Sequence, residues 1–283
     1  PILTIGVALN LAVLAYFKYS YFILGHSEGT FAVYSSTIVP PLAISFFTFQ
    51  QICYLVETAK GEIYEKSFLN YLLFVTFFPQ LIAGPIVHHK ELIPQFHDKK
   101  LLSGNGNYQS LGITLFVLGL FKKVILADGI ALYADSAFGA VQQGATLSFA
   151  EAWGGAISFS FQLYFDFSGY SDMAIGLALM FGIILPLNFN SPYKAVNIIE
   201  FWRRWHMTLS RFMRDYVYFP LGGNRKGIAR QGINLMGTML LGGLWHGAGW
   251  TFVLWGGIHG LLLIINNLWL KFRVLIGLDF NRS

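Results

Sequence analysis

The sequence predicts an all-α, polytopic transmembrane protein in which some helices are broken or re-entrant. Only 12% of its 283 residues are charged, against about 25% in an ordinary soluble domain. Hydrophobic residues make up 55% of the chain, and the mean hydropathy is +0.55. These residues form long runs rather than an alternating pattern, which indicates helices and not a barrel. The composition excludes a disordered chain and disfavours a water-soluble globule.

Stretches without Asp, Glu, Lys or Arg locate the membrane-embedded segments. A helix needs roughly 20 residues to cross the hydrocarbon, so the 40 uncharged residues at 231–270 predict two crossings. Residues 149–165 predict a further span that carries one acid, Glu151. The whole pattern predicts about seven to nine embedded segments. The uncharged stretches are 1–17, 29–56, 67–89, 101–121, 173–193 and 231–270.

Two segments predict interruptions of the helices. Residues 77–85 place two prolines and a glycine in an apolar run, so a straight helix is not expected there. A broken segment is tolerated at membrane depth where protein or a water-filled cavity satisfies its backbone. A cluster of Pro and Asn at 186–192 predicts a helix end and a polar turn. Since no linker or repeat divides the chain, one membrane domain is expected over residues 1–283.

The distribution of cations predicts the orientation. Seven of the 19 Lys and Arg residues lie between Arg203 and Arg230, where only Asp215 opposes them. The positive-inside rule places this region at the cytoplasmic face. The basic residues are otherwise too thinly spread for a nucleic-acid partner. Lys122 and Lys123 interrupt an apolar run, and we expect them to snorkel to a membrane interface.

His246 is the first candidate for chemistry, because ionisable groups inside a bilayer are costly and mark functional sites. It lies within the 40-residue uncharged stretch, with four glycines between positions 242 and 249. Desolvation disfavours the imidazolium form, which leaves a neutral histidine available as a base. The glycines let a backbone or a substrate approach closely. A helix-packing histidine bonded to a nearby carbonyl is the alternative.

His206 is the second candidate. If residues 200–210 form one helix, the spacing places Trp202, Trp205 and His206 on a shared face. Arg203 and Arg204 lie beside that face, and a guanidinium suits phosphate because its planar fork binds bidentately. The segment therefore predicts either an interfacial anchor helix or a mouth where an anionic cofactor meets two arginines and a histidine.

Asp166 and Asp172 bracket the sequence Ser-Gly-Tyr-Ser between two apolar segments. The glycine predicts a break between two helices, with Ser171 or Asp172 as an N-cap. Either aspartate could instead orient a histidine or form a buried pair. Capping or pairing is the expected role for at least one of them.

The remaining histidines and the cysteine predict no metal site. The spacing of His88, His89 and His97 matches no zinc signature, and the charged residues around them favour a solvated loop. His259 is expected on the helix after His246, in a structural role. Cys53 lies in an apolar run and is expected to be an inert buried thiol. A hydrolase nucleophile elbow and a Walker loop are both missing from the sequence.

Six motifs occur in a fixed order, and together they resemble the membrane-bound O-acyltransferase family. The resemblance covers the chain from about residue 40 onward and is strongest to the bacterial branch that acetylates alginate. The motifs are FFPQLIAGP (77–85), DFSGYSD (166–172), PLNFNSPY (186–193), FWRRWHMTLS (201–210), DYVYFPLGGN (215–224) and LWHGAGW (244–250).

The resemblance implies helices around a central tunnel, with His246 as the catalytic residue and His206 as its companion near the cytoplasmic side. It implies transfer of an acyl group, here acetyl, from acetyl-CoA or another cytosolic thioester, with no permanently bound cofactor. Arg203, Arg204 and Trp205 would receive the donor at the cytoplasmic mouth.

The resemblance also implies a multi-pass protein of the bacterial inner membrane, surrounded by lipid. A periplasmic acyltransferase partner would complete delivery to a polysaccharide acceptor such as alginate, another exopolysaccharide or peptidoglycan. Family members are longer than 283 residues, so the chain is expected to be the core of a longer enzyme.

Two other classes of function remain open at this point. Broken helices at membrane depth also occur in secondary transporters and export components, but the sequence shows no inverted repeat and no carboxylate pair suited to ion coupling. A non-catalytic membrane scaffold would leave the clustered Trp, His and Gly residues without a role.

Overall fold

The computed structural model describes residues 2–24, 39–63, 67–98 and 106–278, and every regular element in these ranges is helical. The all-α prediction is confirmed. The chain divides into two compact units, Pro1–Lys60 with Asn190–Ser283, and Gly61–Phe189. The single membrane domain expected over residues 1–283 stays a prediction.

Eleven α-helices form in the described ranges, with short 3₁₀ and π segments between some of them. They are α1 (Ile2–Leu24), α2 (Ile44–Ala59), α3 (Phe68–Thr76), α4 (His89–Phe96), α5 (Gly106–Phe121), α6 (Asp128–Gln142), α7 (Phe149–Met180), α8 (Ile198–Arg204), α9 (Met207–Met213), α10 (Gly227–His246) and α11 (Trp250–Leu275).

Three helical segments of the described chain are long and apolar enough to cross a membrane: Ile2–Ile23, Gly106–Gln142 and Trp250–Leu275. At most 17% of their most apolar windows is buried by protein, so their outer faces suit contact with lipid. Other predicted segments, including α7 and α10, do not meet the same conditions of length, hydropathy and charge, so the described residues hold fewer such helices than the seven to nine segments expected. Residues 29–38 and 101–105 of the predicted stretches lie outside the described residues.

The uncharged stretch 231–270 forms two helices, as predicted, with Gly247–Gly249 between them. In the first unit, α10 and α11 approach closely because glycines face backbone carbonyls at their crossing. A Cβ on Gly243 would meet the carbonyl oxygen of Phe252, and one on Gly256 would meet that of Met239. Small residues at such crossings let two helix backbones pack tightly.

The break predicted at 166–172 is wrong, because α7 runs through it without interruption. In the second unit, α7 packs against α5 with glycine facing glycine. A Cβ on Gly169 would lie 2.7 Å from the carbonyl oxygen of Gly119, and one on Gly176 would lie 2.5 Å from that of Gly112. Gly169 therefore permits close helix packing rather than a turn, and Ser171 and Asp172 lie inside the helix instead of capping it.

Lys122 and Lys123 form ion pairs, and the snorkelling predicted for them stays a prediction. The Nζ of Lys122 lies 2.6 Å from Oδ2 of Asp172, and that of Lys123 lies 2.6 Å from Oδ1 of Asp166 and 2.7 Å from Oδ1 of Asp128. A π segment, Lys122–Ala127, separates α5 from α6 at this point. The pairing predicted for the aspartates is confirmed, and it balances charge on otherwise apolar helices.

The segment at 77–85 is interrupted as predicted, but the solvated loop predicted for the histidines after it is wrong. Helix α3 ends at Thr76, and the buried side chain of Gln80 donates to the carbonyl oxygen of Phe74 at 3.0 Å. His88 and His89 are 5% and 3% exposed, because the chain returns here into an apolar core built on Phe74, Val87, Leu92 and Ile183. His97 is exposed, and its Nε2 lies 2.8 Å from Nδ2 of Asn70.

Candidate active site

A sharp turn places His206, and this corrects the single helix predicted for residues 200–210. Helix α8 ends at Arg204, Trp205 is extended, and His206 adopts a left-handed conformation with φ 42° before α9 begins. For a non-glycine residue this conformation costs about 1–2 kcal/mol. The backbone N–H of Asn190 donates a hydrogen bond to the carbonyl oxygen of Arg204 at 2.9 Å, and this bond stabilises the turn. Trp202 and His206 therefore do not share a helix face.

Histidine and tryptophan rings alternate through the first unit in a connected cluster. Trp245 lies between two histidines, with its ring centroid 5.9 Å from His206 and 4.8 Å from His246. The ring of Trp255 continues the cluster, 4.9 Å from His246 and 4.7 Å from His259. The two histidines predicted to act together are thus joined through one indole ring.

A cavity of about 1100 Å³ lies beside this cluster in the first unit, and His246 lines it. His206 is fully buried, with 0% of its surface exposed, and is not among the lining residues. The two histidines therefore differ in their access to the cavity. His246 can meet a molecule in the cavity directly, whereas His206 faces protein.

The cavity follows one face of α10. Its lining residues on this helix recur at helical spacing from Gln231 through Leu235 and Gly242 to His246. At 1.5 Å per residue, this face is roughly 22 Å long. Only Gly242 of the four glycines near His246 lines the cavity, because Cβ atoms on Gly243 and Gly247 would meet Phe252 of α11.

Positive charge predominates among the lining residues. Arg203, Arg211 and Arg214 line the cavity together with one carboxylate, Glu200. Arg203 and Arg214 are exposed and Arg211 is half-buried, and three guanidinium groups on one cavity wall favour an anionic ligand. Arg214 also contacts Asp215, with 2.8 Å between Nε and Oδ1.

Arg204 and Trp205, two of the residues predicted to bind the donor, lie outside the cavity lining. The Nη2 of Arg204 is 2.6 Å from Oε1 of Glu200. The backbone N–H of Val196 and this guanidinium hold the pKa of Glu200 below its ordinary value of 4.5. Trp205 stacks on Phe201 with 5.6 Å between ring centroids. Both predicted residues thus support the wall rather than face the cavity.

Sequence reasoning missed several residues of this site. Arg211 and Arg214 were noted only for their charge, although their three-residue spacing puts both on one helical face. His259 lies on α11, the helix after His246, as expected, and its ring centroid is 5.3 Å from that of Trp202; its structural role stays a prediction. Glu57 lies outside the cavity lining; it is 2% exposed and accepts a hydrogen bond from Tyr216 at 3.0 Å. Glu57 could have been noticed from the sequence, because it is the first charged residue after a long apolar run.

Comparison with known proteins finds relatives whose names all describe transfer of an acyl group to a polymer. The chain is 48% identical to the peptidoglycan O-acetyltransferase of Helicobacter pylori, over 93% of its own length and 55% of the relative's. It is 43% identical to the "Probable alginate O-acetylase" of Pseudomonas putida, over 99% of the chain and 56% of the relative. The teichoic acid D-alanyltransferase of Streptococcus thermophilus is 30% identical over 86% of the chain and 60% of the relative. The chain thus spans little more than half the length of these curated relatives.

The family model of the membrane-bound O-acyltransferases matches residues 2–282, which is nearly the whole chain. The six ordered motifs, the apolar helices and the histidine beside the cavity agree with that match. The chain belongs to the membrane-bound O-acyltransferase family.

Proposed function

We propose that the full-length protein transfers an acetyl group from a thioester donor to hydroxyl groups of a polysaccharide outside the cytoplasm. The observation that carries this proposal is the position of His246, a histidine on the wall of a large cavity in an apolar helical protein. Acyl transfer to a hydroxyl needs a base for the hydroxyl proton and a site that shields the thioester from water. His246 supplies the base; because its side chain is exposed on the cavity wall, the shield is completed by the bilayer and the remaining part of the full-length protein in this proposal.

His246 acts as the general base in this proposal. Its imidazole takes the proton of the acceptor hydroxyl, either directly or through a relay group, as the oxygen attacks the thioester carbonyl. The thiol then leaves with a proton, and the acetyl group ends on the acceptor oxygen. A base placed this way contributes typically about 10²–10⁴-fold to the rate.

His206 is the companion of His246 in the proposal, acting behind Trp245. The indole of Trp245 contacts both imidazole rings, so a change at His206 reaches His246 through packing. Trp205 and Arg204 belong to the same support, because they hold the turn and the carboxylate of Glu200. Their proposed part in donor binding is therefore to shape the wall.

The donor is acetyl-CoA or another acyl thioester, with no permanently bound cofactor. Its phosphates would meet the cationic lining, where Arg203 is the predicted binding residue and Arg211 and Arg214 add charge. The extended shape along α10 suits a long, thin donor arm whose thioester reaches His246. These arginines also fit the predicted cytoplasmic face of the inner membrane.

Two acceptors receive support from the relatives. The resemblance to alginate-acetylating proteins favours alginate, while the 48% identity to a peptidoglycan O-acetyltransferase favours peptidoglycan. Both polymers offer sugar hydroxyls on the far side of the inner membrane. A periplasmic acyltransferase partner would complete delivery of the group. Membrane transport without acyl transfer is the remaining alternative.

Acetyl analysis of surface polymers in a deletion strain tests the proposal. We expect the strain to lose O-acetyl groups from one polymer, and that polymer is the acceptor. Full-length wild-type protein should restore the groups, and a His246→Ala variant present at the same level in the membrane should not. Normal acetylation in the deletion strain, or with His246→Ala, contradicts the proposal.

A further inference from the structure

The C-terminal end of α10, where His246 lies, is held by two neighbouring side chains of α1. The ammonium group of Lys18 donates to the carbonyl oxygen of Trp245, and the hydroxyl of Tyr19 donates to that of Leu244. Both acceptors belong to the residues directly before His246, and all of these residues lie in the first unit. Two consecutive side chains of one helix thus bond two consecutive carbonyls of another.

These contacts matter because the last four carbonyl groups of an α-helix lack partners within the helix. Of these four, the oxygen of Gly243 accepts a bond from the backbone N–H of Gly247 at 3.4 Å. Lys18 and Tyr19 provide partners for the next two. In an apolar surrounding an unsatisfied carbonyl is costly, and a cation is favourable at the negative end of the helix dipole.

Lys18 is itself fixed in place by the first unit. Its Nζ donates to Oγ of Ser45 at 3.0 Å and lies 5.6 Å from the ring centroid of Trp245. On its other sides Trp245 stacks against Phe49, with 5.3 Å between centroids, and meets Phe46 edge-on at 5.6 Å. The charge is therefore not a surface feature of α1, which has mostly exposed side chains.

We infer that Lys18 and Tyr19 are positioning residues that hold the end of α10 so that His246 stays directed at the cavity. The inference rests on the catalytic role proposed for His246. Without the two bonds the last turn of α10 would fray, and the imidazole would lose its fixed distance from the reacting atoms. A displacement of about 1 Å at a catalytic group can lower the rate about a hundredfold.

Steady-state kinetics of the full-length protein in membranes tests the inference. For Lys18→Met we expect kcat to fall about tenfold to a hundredfold while the KM for acetyl-CoA changes by less than about threefold. Lys18→Arg keeps a charged donor and should recover most of the loss. Tyr19→Phe removes one bond and should have a smaller effect, and Tyr21→Phe is the matched control because Tyr21 is 60% exposed on the same helix.

Two results overturn the inference. One is a Lys18→Met variant whose kcat per folded molecule stays within about twofold of wild type. The other is an equal fall in Lys18→Met and Lys18→Arg. His246→Ala is measured in parallel, because activity in that variant contradicts the proposed function. Full activity of Lys18→Met beside an inactive His246→Ala contradicts the positioning role alone.

Discussion

Charged residues are arranged differently in the two units: lysines pair with aspartates in the second unit, whereas arginines outnumber carboxylates on the cavity wall of the first. In the π segment after α5, Lys122 and Lys123 are matched by aspartates of α7 and α6 at 2.6–2.7 Å. Around the cavity of the first unit, three arginines accompany one lining carboxylate, Glu200, and one of the three, Arg214, forms an ion pair with Asp215. Matched charge holds two helices together, whereas an excess of one sign beside a cavity suits a ligand of the opposite sign.

Glycines show the same contrast. Gly119 and Gly169 face each other's backbone, which leaves no room for a side chain. Gly242 instead lines the cavity, where a Cβ would come no closer than 3.8 Å to the side chain of Met213. Gly119 and Gly169 allow two helices to pack closely, whereas Gly242 keeps space open in the cavity. The sequence around these glycines does not distinguish the two roles.

The largest expected effect is on folding of the second unit. Gly169→Ala places a Cβ against the backbone of α5, so we expect a loss of stability of about 3 kcal/mol from overpacking. Gly129→Ala is the matched control in α6, because a Cβ on Gly129 would have no atom of a neighbouring residue within 4 Å. Thermal unfolding in detergent should show a large fall in Tm for the first variant and none for the second. Equal Tm values contradict the packing role.

A smaller effect is expected at the cavity. Arg203→Gln removes one charged donor from the lining, and such a hydrogen bond contributes about 1.5–3 kcal/mol. We expect the KM for acetyl-CoA to rise at least about tenfold with little change in Tm. Arg225→Gln is the control, since Arg225 is exposed in the same basic segment and lies outside the lining. An unchanged KM in Arg203→Gln removes this residue from donor binding.

The ion pair of Lys122 and Asp172 should give a still smaller effect. Their side chains are 30% and 24% exposed, so removing one partner should cost about 1–2 kcal/mol, between the values for exposed and buried pairs. Lys122→Met should lower the Tm, and adding Asp172→Asn should restore most of it. A double variant as unstable as the sum of the singles contradicts a direct pair.

Glu200 should show the smallest effect, and one that depends on pH. Its pKa is lowered in the folded protein, so the stability it contributes is present above about pH 4.5, the unfolded value, and is lost as the pH falls through the folded value. Glu200→Gln should therefore lower the Tm slightly at pH 7, and the Tm difference should shrink as the pH falls below 4.5. A Tm difference that grows on acidification contradicts this sign.

The sequence predicted the helical class, the interruption at 77–85 and the two helices within 231–270, because proline, glycine and long uncharged runs act locally. It did not predict that α7 continues through residue 169, since a glycine that packs against another helix looks like one that breaks a helix. The burial of His88 also depends on distant partners, whereas charged neighbours in sequence suggested solvent.

The candidate site was predictable in part. His246 stood out because it lies in a long uncharged stretch, and the structure places it on the cavity wall. Its difference in access from His206 was not predictable, because it depends on the turn after Arg204 and on Trp245. The contact between Lys18 and the end of α10 was not predictable from the sequence, since it depends on where α10 ends relative to α1.

The rate of acetyl transfer by full-length protein carrying His246→Ala is the direct test of His246 as the catalytic base. Equal amounts of folded wild-type and variant protein are supplied with acetyl-CoA, the acceptor polymer and the periplasmic partner, and acetyl incorporation is followed over time. We expect a rate lowered by about 10²–10⁴-fold with unchanged Tm. A rate within about twofold of wild type would contradict the assignment of His246 as the catalytic base.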